Sequence, residues 1–133
     1  MFLGLYRWQD FMDYARSLQE KIEFFRAQAA QYHFSREYAK AMEFYVRAGI
    51  LGDRDSVAEV CRKLRSGYGM SCNYNELFRC MLVGAVKFEM PEAMAELARC
   101  YQSGIGTVVN RKKAAEWLER SGLDLAVGED GAD

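Results

Sequence analysis

The sequence predicts an all-α fold, a short solenoid of about three helical hairpins. Three observations carry that expectation. Apolar residues recur at three- and four-residue steps along most of the chain. Residues 91–122 read as one complete helix-turn-helix unit. That unit is echoed twice upstream, each time after about 36–37 residues: Gly104 and Gly106 fall on Gly67 and Gly69, Leu97 on Val60, Asn110 on Asn73, and Ala114 through Leu77 on Ala41. A helical hairpin cannot bury its own apolar faces, so repetition at this period means stacking. The single proline among 133 residues agrees with helices rather than strands and turns.

The first unit spans residues 5–49. Neither Gly nor Pro occurs between Leu5 and Ala48, and Trp8, Phe11, Met12, Ala15, Leu18, Ile22 and Phe25 keep helical spacing, continued by Ala29 and Tyr32. A long first helix is expected, with a break near Ser17. A turn at Phe34 and Ser35 follows, with Ser35 capping a second helix over residues 36–48. Gly49 and Gly52 close the unit. The second unit, 55–88, opens at Asp55 or Ser56, where Ser56 and Glu59 have capping-box spacing; Asn73 and Glu76 repeat that arrangement for its second helix. In the third unit, 91–122, Pro91 suits a first helical position, and Ala93, Leu97 and Tyr101 form an apolar stripe. Gly104 accepts the left-handed backbone that ends a helix, and Asn110 caps a last helix with Ala114, Trp117, Leu118 and Ser121 on one face. One domain therefore covers residues 1–125, with 126–133 an acidic flexible tail, although Leu123 to Val127 has the character of a further repeat's start.

Ala93, Leu97, Tyr101, Gly104, Gly106, Val108, Asn110, Lys113, Ala114, Trp117 and Ser121 together resemble the Sel1-like repeat, a relative of the tetratricopeptide repeat. Ala98 stands where that family prefers glycine, and Val108 lies one place late. Ala29, Tyr32 and the short turn to Ala41 look more like a tetratricopeptide hairpin. The resemblance spans roughly residues 34–122 and implies a non-catalytic scaffold or adaptor, which binds a protein or peptide in a concave groove lined by the first helix of each hairpin.

A formal net charge of −1 gives no global attraction to nucleic acid or to anionic membranes. No apolar run approaches the roughly 20 residues that span a bilayer, and the first residues lack a basic leader followed by an apolar core. The N-terminus is instead expected to form an amphipathic helix. Cys61, Cys72, Cys80 and Cys100 include no Cys-x2-Cys pair and the one histidine, His33, is far away in sequence, so no metal or other cofactor is expected. The thiols read as reduced core filler in a cytoplasmic protein. No nucleophile elbow or phosphate loop is present, so no enzyme is expected. The remaining catalytic alternative is a thiol-dependent hydrolase with His33 as base.

Placing Leu97 and Tyr101 in the core turns Glu92, Arg99 and Gln102 toward the groove that the resemblance implies. The same register brings Arg62 and Arg65 from the second unit, and Arg26 and His33 from the first. This arginine strip suits the carboxylates of an acidic peptide. The opposing reading is a solvated face, neutralised by Glu23, Asp55 and Glu92. An inhibitor or immunity-type protein forming a tight one-to-one complex is the alternative binding function. Phe2, Leu3, Tyr6, Trp8 and Phe11 crowd the N-terminus with apolar surface and the end after Gly122 is poorly capped, so a homodimer formed end to end or through the N-terminus is a further expectation.

Overall fold

The structure, a computed structural model, describes residues 8–67 and 72–123. Phe2, Leu3, Tyr6, Gly69 and the tail 126–133 lie outside the described residues. Among the described residues six α-helices follow one another: α1 (Trp8–Phe34), α2 (Tyr38–Ile50), α3 (Arg54–Arg65), α4 (Tyr74–Leu82), α5 (Pro91–Ser103) and α6 (Arg111–Ser121). A π-helical turn over Val83–Lys87 extends α4. No strand occurs among the described residues, and the architecture is the all-α solenoid that the sequence predicts.

The repeat is visible in the caps. Asn73 accepts a hydrogen bond from the Glu76 amide at 3.0 Å, and Asn110 accepts one from the Lys113 amide at 2.9 Å. Each satisfies an otherwise unpaired donor in the first turn of its helix. Pro91 stands in the first turn of α5, and Gly104 ends that helix in the left-handed conformation with φ 74°.

Three boundaries differ from expectation. α1 runs through Ser17 without a break, because the outward-facing serine costs a helix little where nothing competes for its turn. Ser35 does not cap α2; its hydroxyl donates to the Gln31 carbonyl at 3.1 Å and closes α1, while Arg36 takes the left-handed turn at φ 66°. The cap of α3 is Asp53 rather than Asp55 or Ser56. Its carboxylate accepts from the Ser56 amide at 3.1 Å and the Ser56 hydroxyl at 2.5 Å, and Glu59 pairs with Arg62 instead of closing a capping box.

α2 packs on α1 behind it and on α3 and α4 ahead of it, and α5 then packs on α3, α4 and α6. The core that results is centred on Met42, Val46, Val57, Val60, Leu77, Met81 and Leu97. Cys61 and Cys80 are buried among these residues, as filler should be, and the Cys61 and Met81 sulfurs lie 3.9 Å apart. Units two and three meet at Gly84 in the π-helical turn. A β-carbon there would stand 2.6 Å from Val57 Cγ1 and 2.7 Å from Ala93 Cβ, so only glycine lets α3 and α5 come this close to the end of α4. Tyr101 meets Phe78 edge-on at 5.5 Å between centroids. Trp117 is half-buried at the margin of the core, with the Arg120 guanidinium 4.3 Å above its ring.

Candidate functional site

α3 and α5 are equivalent helices of successive units, and they lie side by side. Two clefts open along them. One, of about 390 Å³, has an apolar floor of Leu64, Leu77, Met81 and Ile105 and a charged rim of Arg65, Glu92, Glu96 and Arg99. The other, of about 550 Å³, lies between Ala58, Arg62, Arg65, Pro91 and Glu92. Arg65 and Glu92 line both clefts and form the ridge between them.

The charges follow the repeat. Arg62 pairs with Glu59, and Arg99 pairs with Glu96 at 3.3 Å, each within one helical turn. Both members of the first pair map onto the second by the same shift of about 37 residues. Burial raises the Glu96 carboxyl above its ordinary value, and the Arg99 guanidinium opposes that rise. The neutralising partners are thus Glu59 and Glu96, not the expected Glu23, Asp55 and Glu92. Arg65 is exposed and has no ion-pair partner among the described residues.

The other predicted residues fall elsewhere. Arg26 reaches from α1 to the Asp53 carboxylate at 3.6 Å, bracing the start of α3. His33 Nδ1 stands 3.0 Å from Lys63 Nζ and its ring meets Tyr38 edge-on, so it ties α1 to α3 and α2. Gln102 is exposed on α5 and lines neither cleft. Of the N-terminal aromatic residues, Trp8 and Phe11 are described, and both are exposed with their rings 5.6 Å apart.

Sequence reasoning missed Lys63. It is only 4% exposed, with its ammonium 5.6 Å from the Tyr45 ring centre, 5.8 Å from that of Tyr38 and 3.9 Å from Glu59. Burial lowers its pKa, Glu59 opposes that, and the two aromatic faces supply cation–π attraction. Tyr38 and Tyr45, spaced two turns apart on α2, were the available signal.

Chemistry at the thiols points away from catalysis. Cys61, Cys72, Cys80 and Cys100 are buried, and burial pushes Cys61 and Cys100 up to about 12 and raises Cys72 and Cys80. A nucleophile needs the opposite shift. Among the described residues no group of His, Cys, Asp or Glu is arranged to hold a metal ion, and no helix is long and apolar enough to cross a membrane.

Comparison with protein families matches the Sel1 repeat at residues 29–53, the end of α1 with α2, and at residues 91–123, the third hairpin. Neither curated proteins nor solved structures give a match. Sel1 repeats in general mediate protein–protein interaction and are typically non-catalytic.

Proposed function

We propose that this chain, which carries Sel1 repeats in its first and third hairpins, is a non-catalytic adaptor that binds an extended acidic segment of a protein partner along α3 and α5. One observation supports the reading above the others: Arg65, without an ion pair among the described residues, lines both clefts, beside Arg62 in one and Arg99 in the other. Packed helices repeat at about 10 Å, a distance an extended chain covers in about three residues. Carboxylates at that spacing would meet successive guanidiniums, and each guanidinium can hold a carboxylate through two parallel hydrogen bonds. Apolar side chains between them would enter the floor of Leu64, Leu77, Met81 and Ile105. The buried, protonated thiols argue against the thiol-hydrolase alternative. The reading places the chain in the cytoplasm, where such thiols remain reduced.

Charge reversal tests it. Arg65→Glu is expected to weaken partner binding by about 2–3 kcal/mol, measured by titration calorimetry, while unfolding stability moves by less than about 0.5 kcal/mol. Arg65 is the informative position because its replacement breaks no ion pair among the described residues, whereas Arg62→Glu breaks the pair with Glu59 and Arg99→Glu the pair with Glu96. Binding should weaken as salt rises. A folded Arg65→Glu variant that binds its partner at full strength would dispose of the groove.

A further inference from the structure

α1 is twice as long as the helix it packs on. Its 27 residues extend about 40 Å at 1.5 Å per residue, against about 20 Å for the 13 residues of α2. Its apolar seam falls into two halves. Ile22, Phe25, Ala29 and Tyr32 face α2: Ile22 and Ala29 are buried, and Phe25 and Tyr32 pack against Phe44 with centroids 6.1 and 5.6 Å away. Trp8, Phe11, Ala15 and Leu18 continue the same seam at the same alternating three- and four-residue steps. Yet Trp8 is 73% and Phe11 58% exposed and Ala15 and Leu18 are half-buried, and among the described residues the ring contact of Trp8 and the side-chain hydrogen bonds of Gln9, Asp13 and Arg16 stay within α1. An alternation of threes and fours sustained through eight positions is the repeat of a two-helix coiled coil. Half of it has a partner helix in the fold, and half has none among the described residues.

We propose that the unpartnered half is a dimerisation seam, on which α1 of a second copy packs antiparallel. The occupant follows from size. An antiparallel arrangement with its two-fold axis on the seam midway between Phe11 and Ala15 sets Phe11 against Ala15 of the partner subunit, and Trp8 against Leu18 of the partner subunit. Each large ring then lies over a smaller side chain, as close packing requires. A parallel arrangement would oppose Trp8 to Trp8 and Phe11 to Phe11, and leave a gap at Ala15. The antiparallel axis also passes beside Met12 and Tyr14, which are 38% and 66% exposed and extend the apolar patch on either flank. Asp10, Asp13, Arg16 and Glu20 fall off the seam, so no charge is buried. The aromatic rings of Trp8 and Phe11 from two copies, at about 150–250 Å² each, with Met12 and Leu18 bring the patch to about 1,000 Å². That is the lower edge of specific interfaces.

The test is sedimentation equilibrium of the full chain from about 5 to 500 µM, with the rest of the fold monitored by circular dichroism. The unmodified chain should pass from monomer to dimer. Phe11→Lys and Ala15→Glu, each alone, should keep it monomeric at every concentration. The double variant should regain association, because only the antiparallel register sets the introduced ammonium of one copy against the introduced carboxylate of the other. A monomer at 500 µM, a dimer that survives Phe11→Lys, or a double variant that stays monomeric each overturns the proposal. Arg65→Glu should leave the dimer untouched, which separates this surface from the groove.

Discussion

Gly106→Ala is expected to destabilise the fold by about 2–5 kcal/mol, read from the midpoint of urea unfolding. Two costs combine. Gly106 has φ 74°, a conformation that costs an L-residue about 1–2 kcal/mol. A β-carbon there would also overlap the Tyr74 carbonyl oxygen and come within 2.7 Å of Phe78 Cβ. Both residues lie on α4, so the loop of the third unit rests directly on the second helix of the unit before it. Backbone cannot yield as a flexible side chain does, and overpacking of this kind costs about 1–3 kcal/mol. Gly122→Ala is the control. Its φ of 70° is nearly the same, but nothing lies within 4 Å of the added carbon, and its cost should stay near 1 kcal/mol. Equal losses at the two positions would mean that the loop does not rest on α4.

Stability should fall steeply in alkali. Cys61 and Cys100 are held up to about 12 by burial and Cys80 is raised by the same cause, against 9.0 for the free thiol. The folded chain therefore keeps three protons that the unfolded chain releases above pH 9.0. The stability these thiols contribute is complete below that value and is lost as pH rises from there toward about 12. Each costs about 1.4 kcal/mol per pH unit, so the three together remove about 4 kcal/mol by about pH 10. Tyr45, also raised by burial and by Glu59, adds to the loss at still higher pH. Lys63 acts in the opposite sense, because its lowered pKa makes the fold less costly as the ammonium is neutralised. Urea midpoints at about pH 8 and about pH 10 measure the net effect. An unchanged midpoint would mean that the thiols are open to water.

Both effects arise in parts of the chain that were readable in advance. The helix pairs α3 with α5 and α4 with α6 were legible because Asn73 and Asn110 and the glycine loops recur in register, and each marks a backbone position with a specific chemical need. The arginine equivalence of Arg62 and Arg99 followed from the same register. The same shift relates Glu59 to Glu96, whereas the acidic positions that the register singled out were Glu23, Asp55 and Glu92. Other features had no local signal. Asp53, Asp55 and Ser56 are all competent caps, and only the course of the chain out of α2 chooses among them. The left-handed turn at Arg36 and the π-helical turn at Val83–Lys87 are set by packing between units, and neither has a residue that demands it beyond Gly84. Lys63 reads as solvent-facing in any single helix; its burial depends on α1 and α2 covering it with His33, Tyr38 and Tyr45.

The most direct measurement of the central claim is site-specific photocrosslinking in extracts of the native cell. A photoreactive amino acid in place of Glu92 stands on the ridge shared by both clefts, and one in place of Lys112 stands on the exposed surface of α6. Groove binding predicts a discrete protein adduct from position 92, none from position 112, and loss of the adduct when Arg65→Glu is added. An adduct from position 112 alone, or one at position 92 that survives Arg65→Glu undiminished, would contradict it.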